Sequence, residues 1–282
     1  MNNREGLREF AANILSNFIK LFNTTFKVIL FEKVVPFHMD AAFCQGVLCY
    51  VSSKLEIKRS SRVFPPEILQ WLSSFEKGDV FCDIGSNIGM FALTAAKLHD
   101  NKIEIYAFEP SFSTFTTLVM NIVINGFGEI IFPFSVPLSS EKRVRRFNYA
   151  ELSAGAAIHS LDHVNSKQGE SITSVFSQKV ISYSLDKLIE DFGLRIPNHI
   201  KIDVDGAEED VVQGMKRVIE NPILKSVLVE ITENTAIDEK ARYVESKFIE
   251  SGFHVVSKIR HGKKSAFPVI SDVLFVRNWS VK

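Results

Sequence analysis

Several features that mark particular protein classes are scarce in this 282-residue sequence. Three cysteines are an odd number without metal-site spacing, so we expect free thiols in a reducing compartment. The 33 basic and 33 acidic residues cancel, so no overall positive charge favours a nucleic-acid partner. The first residues carry charges from Arg4 to Glu9 and no cleavage site follows, so we expect no signal peptide. These absences predict a cytoplasmic protein that does not bind nucleic acid.

The most informative segment that is present covers residues 80–96. It predicts a buried strand over 80–84, a turn that contains Gly85 and Gly89, and a helix that follows at once. Such a turn directs backbone N–H groups and the positive end of the helix toward a ligand. A second apolar strand ends in Glu109 and Pro110, where nucleotide-binding α/β units hold ribose hydroxyls. Together the two segments predict a cofactor that contains adenosine.

The turn also indicates which adenosine cofactor is bound. Its pattern is Asp83-x-Gly85-Ser86-Asn87-x-Gly89. The dinucleotide fingerprint has glycine where this chain has Asn87, because the backbone must approach a pyrophosphate there. Asp83 would repel a pyrophosphate and attract a cationic amino group. S-adenosylmethionine has such a group, a sulfonium and no phosphate, so we favour it over NAD. An NAD-dependent oxidoreductase remains one alternative. The other is a glycine-rich turn without a cofactor, in which Asp83 is only a buried capping residue.

The order of strand and helix signals predicts the architecture. Alternation along most of the chain, with two strands close together at its end, implies a mostly parallel sheet with one antiparallel strand. Between residues 139 and 183 the alternation lapses, which predicts an antiparallel insertion near the substrate. We therefore predict an N-terminal part of helix and short strands over 1–62, and an α/β domain over 63–282. Three arginines of the insertion could bind an anionic substrate, although a solvated charged hairpin is favoured: Arg143, Arg145 and Arg146.

The N-terminal part has apolar residues at helical spacing over residues 7–31. Charged residues interrupt the run, which excludes a membrane span. The helix could lie on a bilayer surface as a peripheral membrane contact, or it could pack on the domain or form a homo-oligomer. We favour packing or a dimer contact because the positive charge on the polar face is modest.

A second group of charged residues follows a later apolar strand. Lys201 and Asp203 lie on one face of that strand, Asp205 is in the turn after it, and Glu208 begins the next helix. Ligands bind beyond the carboxyl ends of such strands, so these groups should face the same crevice as the first turn. Asp203 beside Asp205 needs a nearby cation, which could be Lys201, a sulfonium or a divalent metal. We assign no metal ligands, and a structural Lys201–Asp203 ion pair is the alternative. Glu230 is a further candidate lining residue.

The combination of motifs resembles the FkbM family of S-adenosylmethionine-dependent methyltransferases. The resemblance spans roughly residues 64–277 and rests on four segments: Asp83-x-Gly85-x-Asn87-x-Gly89, Glu109-Pro110, Ser184-Leu-Asp-Lys-Leu188 and Lys201-Ile-Asp-Val-Asp-Gly-Ala-Glu208. It implies a seven-stranded Rossmann-like sheet with helices on both faces. It also implies O-methylation of a hydroxyl on a small-molecule or glycan acceptor, such as a sugar or natural product. The residues that it places at the cofactor are Asp83, Gly85, Asn87, Gly89 and Glu109, to which we add Ser86 and Pro110.

The chemistry requires a hydroxyl to lose its proton as it attacks a methyl group. Alignment supplies most of the rate, and an acid–base group adds about 10²–10⁴-fold. Asp203 is the first candidate to take the proton or orient the acceptor, and Glu208 is second, with Lys201 beside them. His159 and His38 could do the same work, although ordinary packing or surface roles are favoured for both. The non-enzymatic alternative is a cofactor-binding module that docks to a membrane or partner.

Overall fold

A seven-stranded sheet forms the centre of the molecule. The computed structural model describes residues 3–34, 37–157, 159–162, 174–233, 238–261 and 269–277. The strands lie across the sheet in the order β11 (His254–His261), β12 (Val269–Val276), β10 (Ser226–Glu233), β9 (His199–Ile202), β3 (Val80–Ile84), β4 (Glu104–Phe108) and β5 (Ile131–Phe134). β12 is antiparallel to both neighbours, and the other pairs are parallel. The predicted fold class is therefore confirmed.

Helices cover both faces of this sheet, as predicted. Side chains alternate along a strand, so Phe81 joins one buried cluster while Val80 and Cys82 join the other. On the Phe81 face the cluster contains residues of α4 (Pro66–Ser73), α5 (Met90–Leu98) and α6 (Phe112–Ile124). On the opposite face it contains residues of α7 (Leu185–Phe192), α8 (Glu208–Gln213), α9 (Lys216–Glu220) and α10 (Glu239–Glu250).

One predicted helix is divided in two. The pattern predicts a single helix over 208–219, but α8 ends at Gln213 and α9 begins at Lys216. Gly214 lies between them in close contact with the chain, since a Cβ there would sit 2.0 Å from the Ser139 carbonyl oxygen. Asp186 caps the first turn of α9 by accepting from the backbone N–H groups of Arg217 and Val218. The break between the two helices therefore results from these tertiary contacts.

Residues 37–62 form a hairpin and a helix. β1 (Phe37–Asp40) and β2 (Leu48–Val51) pair antiparallel, and α3 (Lys54–Ser60) follows. The short strands were predicted but α3 was not, although Ser53 and Glu56 form a capping box at its start. The Tyr50 N–H donates to Asn121 of α6 at 2.6 Å, so contacts cross the predicted boundary at residue 62. The division into two parts stays a prediction.

Two further helices precede the hairpin, α1 (Asn3–Ile19) and α2 (Thr24–Val34). The chain breaks between them because the Asn23 side chain accepts from the Phe26 N–H at 2.9 Å and caps α2. Across this corner the Phe22 ring packs edge-to-face with Phe18 at a centroid distance of 5.2 Å and stacks on Phe26 at 4.4 Å. Within the described residues, the helices all fall short of the length and apolar content needed to cross a bilayer.

The predicted antiparallel insertion is confirmed where the structure describes it. β6 (Arg143–Tyr149) lies between β7 (Ser160–Leu161) and β8 (Phe176–Ser182), both antiparallel to it. Residue 158 and residues 163–173 lie outside the described residues. The favoured solvated hairpin is wrong for Arg145, which is only 8% exposed and is held between Asp162 and Asp210. Two carboxylates therefore neutralise this arginine.

Candidate functional site

The first turn has a backbone that only glycine can adopt at Gly85. A Cβ on Gly85 would lie 1.8 Å from the Asp203 carbonyl oxygen, and its φ of +76° lies in the left-handed region. Gly89 also has a positive φ of +95°, and a Cβ there would lie 2.7 Å from the Leu118 side chain. Ser86 fixes the turn from within, since its hydroxyl donates to the Asp83 carbonyl at 2.7 Å. The turn is thus packed against both β9 and α6.

Asp83 and Lys201 lie buried beneath this turn. The two residues are register partners on adjacent strands, and the Lys201 Nζ is 3.6 Å from Asp83 Oδ1 and 3.5 Å from Asp203 Oδ2. Lys201 also donates to the Gly85 carbonyl at 2.9 Å. Asp83 Oδ2 accepts from the Ala92 N–H of α5 at 3.2 Å, whereas Oδ1 has no hydrogen-bond partner among the described residues. One lysine therefore joins two strands and the turn.

The pKa values of this buried pair respond to burial and to their neighbours. Burial is the largest influence on Asp83 and raises the pKa of its carboxyl, against the opposing charge of Lys201. Burial by itself would lower the pKa of Lys201, but the charges of Asp203 and Asp83 raise it above its ordinary value. Lys201 is therefore a fixed ammonium ion, and it is poorly suited to accept a proton.

Glu109 lies at the end of β4, beside the turn. Its carboxylate accepts from the Asn87 N–H at 3.0 Å and from the Ser111 N–H at 2.9 Å. Burial nevertheless raises the pKa of Glu109 to about 7, because these two bonds offset only part of the desolvation. A carboxylate can accept about four hydrogen bonds, so two sites remain for a ligand's hydroxyl groups.

A cavity of about 160 Å³ opens at this end of the sheet. We call it the cofactor cavity, because its lining includes residues that the sequence predicts to hold the cofactor. Five of the predicted site residues line it: Gly85, Asn87, Glu109, Pro110 and Asp203. Four others lie behind its wall and shape the turn: Asp83, Ser86, Gly89 and Lys201. The structure thus brings the predicted residues together in two layers.

A larger cavity, of about 480 Å³, adjoins the first. We call it the second cavity, and it lies between the insertion, α8 and α10. Glu208 lines it, while its carboxylate accepts from the N–H groups of Gly206 at 3.0 Å and Val204 at 3.3 Å. Both cavities are lined by His159 and Asp205, so these two residues lie where the cavities meet.

Some lining residues were not predicted. Arg59 and Arg62, from α3 and the loop after it, reach the cofactor cavity together with Phe147 of β6 and Ala156 of the insertion. The capping box at Ser53 could have revealed α3, but the placement of its arginines depends on packing across the whole domain. Glu230, a weighed candidate, also lines the cavity. No cluster of three or more potential metal ligands occurs within the described parts of the chain.

A second polar cluster lies at the opposite, amino end of the same strands. His199 contacts the Ser226 hydroxyl through Nδ1 at 2.7 Å and Asp79 through Nε2 at 3.0 Å, and Phe75 stacks on its ring. The Trp71 indole donates to Ser226 at 2.7 Å. A neutral His199 that donates from Nε2 and accepts at Nδ1 satisfies both contacts, and burial lowers its pKa accordingly. We call this group the amino-end cluster, and it has the character of a structural network.

Comparison with known proteins agrees with the motif-based resemblance. A family model described as "Methyltransferase FkbM domain" matches residues 83–260, which is more than half of the chain. A curated relative, the hexuronic acid methyltransferase AglP of Haloferax volcanii, is 31% identical over 169 residues. That match covers 60% of this chain and 62% of the relative's length. The chain therefore spans less than two thirds of this relative.

Solved structures with a similar arrangement include two methyltransferases. The methyltransferase FkbM of Methylobacillus flagellatus KT has a TM-score of 0.46 and 12% identity, with 79% of this chain and 52% of that chain covered. The precorrin-6y C5,15-methyltransferase of Geobacter metallireducens has a TM-score of 0.45 and 11% identity, with 81% and 93% covered.

The match over residues 83–260 includes the first turn, Glu109 and the charged group after β9. It confirms the predicted class and its cofactor, S-adenosylmethionine, over the nicotinamide alternative. This chain belongs to the methyltransferase FkbM domain family.

Proposed function

We propose that this protein transfers a methyl group from S-adenosylmethionine to a hydroxyl group of a sugar. The observation that carries the proposal is the cofactor cavity itself. Asn87 and Glu109 are hydrogen-bonded to each other at its edge, and Asp203 lines it near Lys201. These groups follow the carboxyl ends of three adjacent strands, β9, β3 and β4, and meet where an α/β sheet binds its ligands.

The residues present fit S-adenosylmethionine. Gly85 allows the backbone to lie open at the cavity, and Glu109 retains acceptor sites for ribose hydroxyls. Asp203 offers a carboxylate to a cationic group, and 35% of its side chain is exposed. When bound, S-adenosylmethionine supplies an electrophilic methyl group on sulfur. Asp203 would orient the cofactor or acceptor, while Glu208 and Lys201 would hold the surrounding turns in place.

The acceptor class is inferred from the relative. AglP is named for hexuronic acid, so we propose a pyranose sugar as the acceptor for this chain. The second cavity has a lining compatible with this, since Ser160, Thr232, Gln213 and Lys240 can bond to hydroxyl groups. Methyl glucuronide and methyl glucoside are suitable probes because they differ only at the carboxyl group.

The first test is the melting temperature with and without S-adenosylhomocysteine. Ligand at about 100 times its dissociation constant should stabilise the fold by about 2.7 kcal/mol. For a domain of this size the shift is roughly 5 °C or more. NADH is the control, and a shift with NADH alone would contradict the proposal. Transfer of a labelled methyl group to the two glycosides then tests the acceptor class. A product that resists mild base is an ether, whereas a methyl ester would be hydrolysed.

We also propose that α1 and α2 form a contact surface. Apolar side chains of these helices and of the turn between them remain exposed, including Phe10 and Ile14 of α1 at 64% and 56%, and Leu21 of the turn at 81%. Such a surface is typical of an interaction site. A second copy of the chain is the first candidate and a lipid surface is the second.

Analytical ultracentrifugation and liposome co-sedimentation of the full chain test this contact. The variant Ile14→Asp should weaken self-association by at least ~10-fold, since it places a charge in the apolar contact. Lys20→Asn is the matched control, because Lys20 is a polar residue of the same segment whose ammonium group donates to Asn17 of α1. Association that is unaffected by Ile14→Asp, together with no binding to vesicles, would contradict the proposal.

A further inference from the structure

His159 has an unusual environment for a buried polar side chain. Both of its ring nitrogens are buried, and neither has a hydrogen-bond partner within the described residues. The ring instead lies against two aromatic side chains of β6, Phe147 and Tyr149, at centroid distances of 5.7 and 5.2 Å. A buried polar group without a partner costs about 1–3 kcal/mol. Such groups in native proteins call for an explanation, and a catalytic role is one of them.

The position of the ring indicates which group could form a hydrogen bond with its nitrogens. His159 lines the cofactor cavity and the second cavity together with Asp205. Asp205 has a positive φ of +55°, so the turn after β9 is constrained at the same junction. An acceptor in the second cavity would meet a cofactor in the first near these shared lining residues. The reacting hydroxyl is the group that the proposed function places there.

The ionisation of His159 is compatible with proton acceptance. Burial lowers the pKa of the ring, while the carboxylates of Asp205 and Glu151 act in the opposite direction. The ring is therefore mainly neutral near pH 7 and has one nitrogen free to accept a proton. Glu208 is already engaged with the N–H groups of Val204 and Gly206, and Asp203 lies beside the Lys201 ammonium. Among these candidates, the imidazole is the group best suited to act as a base.

We propose that the second cavity binds the acceptor sugar and that His159 takes the proton from its reacting hydroxyl. This inference rests on the proposed function. The hydroxyl oxygen forms a bond to the methyl carbon while the carbon–sulfur bond breaks and leaves its electron pair on sulfur. The hydroxyl proton moves to a ring nitrogen of His159 and later passes to water. The products are a methyl ether and S-adenosylhomocysteine, so atoms and charge balance.

The test compares His159→Gln with wild type in the full chain. Turnover is measured with labelled S-adenosylmethionine on methyl glucuronide and on methyl glucoside, which distinguishes a charged from a neutral acceptor. Loss of a general base should lower kcat by about 10²–10⁴-fold. The dissociation constant of S-adenosylhomocysteine should stay within about threefold, because His159 does not bind the cofactor in this proposal. His254→Gln is the control, since His254 is exposed on β11.

The outcomes separate this inference from the proposed function. Turnover of His159→Gln within about threefold of wild type would overturn the role of His159. Binding of S-adenosylhomocysteine without methylation of either glycoside by wild type would overturn the acceptor assignment and leave the cofactor site intact. Failure of wild type to bind S-adenosylhomocysteine would remove the proposed function and this inference with it. His159→Asn provides a second variant if His159→Gln does not fold, and addition of imidazole to His159→Ala should restore part of the lost turnover.

Discussion

The two ends of the central strands each contain a histidine with buried ring nitrogens and a buried aspartate, but these residues differ in whether all of their polar atoms have hydrogen-bond partners. At the amino end, His199 has a partner for each ring nitrogen, and Asp79 is paired with His199 and Lys225. At the carboxyl end, both nitrogens of His159 and one oxygen of Asp83 have no hydrogen-bond partner within the described residues. Satisfied polar networks stabilise a fold, whereas unsatisfied groups cost free energy and persist where function requires them. The comparison supports a structural role for His199 and agrees with the chemical role proposed for His159.

After His159→Gln, the largest expected effect comes from Asp203→Asn, also at the carboxyl end. Removal of the charge that faces Lys201 and orients the cofactor or acceptor should lower turnover by at least ~100-fold, because the reacting groups lose their alignment. The melting temperature should change little, since the side chain is partly exposed and Lys201 keeps Asp83 and the Gly85 carbonyl. Methyl-transfer kinetics with the two glycosides and a melting curve measure both quantities. Unchanged turnover would remove Asp203 from the mechanism.

The variant His199→Ala should have the converse effect at the amino end. It removes the contacts to Ser226, Asp79 and Phe75 and leaves buried polar groups without partners. We expect the free energy of unfolding to fall by roughly 2–3 kcal/mol. Chemical denaturation measures this loss. The kcat of the folded fraction should stay within about twofold of wild type. A larger fall in kcat would contradict a purely structural role for the amino-end cluster.

A smaller effect is expected from the pH dependence of cofactor binding. The pKa of Glu109 is raised to about 7, so its carboxyl is mostly protonated at pH 6 and mostly ionised at pH 8. The ionised form accepts hydroxyl hydrogen bonds better, so the affinity for S-adenosylhomocysteine should fall by up to about tenfold from pH 8 to pH 6. Calorimetric titration at both pH values measures the change. Glu109→Gln should bind with little dependence on pH, and an equal dependence in that variant would assign the effect to another group.

Much of the fold could be predicted because it depends on local periodicity. β3 has the predicted bounds, and the single antiparallel strand followed from two terminal strands close together. The predicted helix boundaries are wrong where a single residue caps a helix or makes a close tertiary contact. Asn23 divides the N-terminal helix, the contact between Gly214 and Ser139 divides α8 from α9, and the capping box at Ser53 begins the unpredicted α3.

The candidate site was predictable in composition but less so in arrangement. The motifs identified Glu109 and Asp203, which line the cofactor cavity. The sequence could not show that Asp83 and Lys201 lie behind its wall, because burial is set by register and by the packing of α5. For the same reason the sequence alone offered no ground for preferring His159 to the other histidines as a base. That its ring has no hydrogen-bond partner among the described residues is a property of the folded insertion.

The buried ion pairs of Arg145 determine how the wall of the second cavity can be changed. Arg145 of the insertion is held by Asp162 and by Asp210 of α8, and Asp210 also accepts from Ser140. A buried charge left without its partner costs about 3–5 kcal/mol. An insertion transplanted from a relative would therefore have to bring an arginine with it, or the recipient would have to lose Asp210 as well. The insertion that forms this wall can thus be exchanged only if the pairing between Arg145 and Asp210 is kept or removed as a whole.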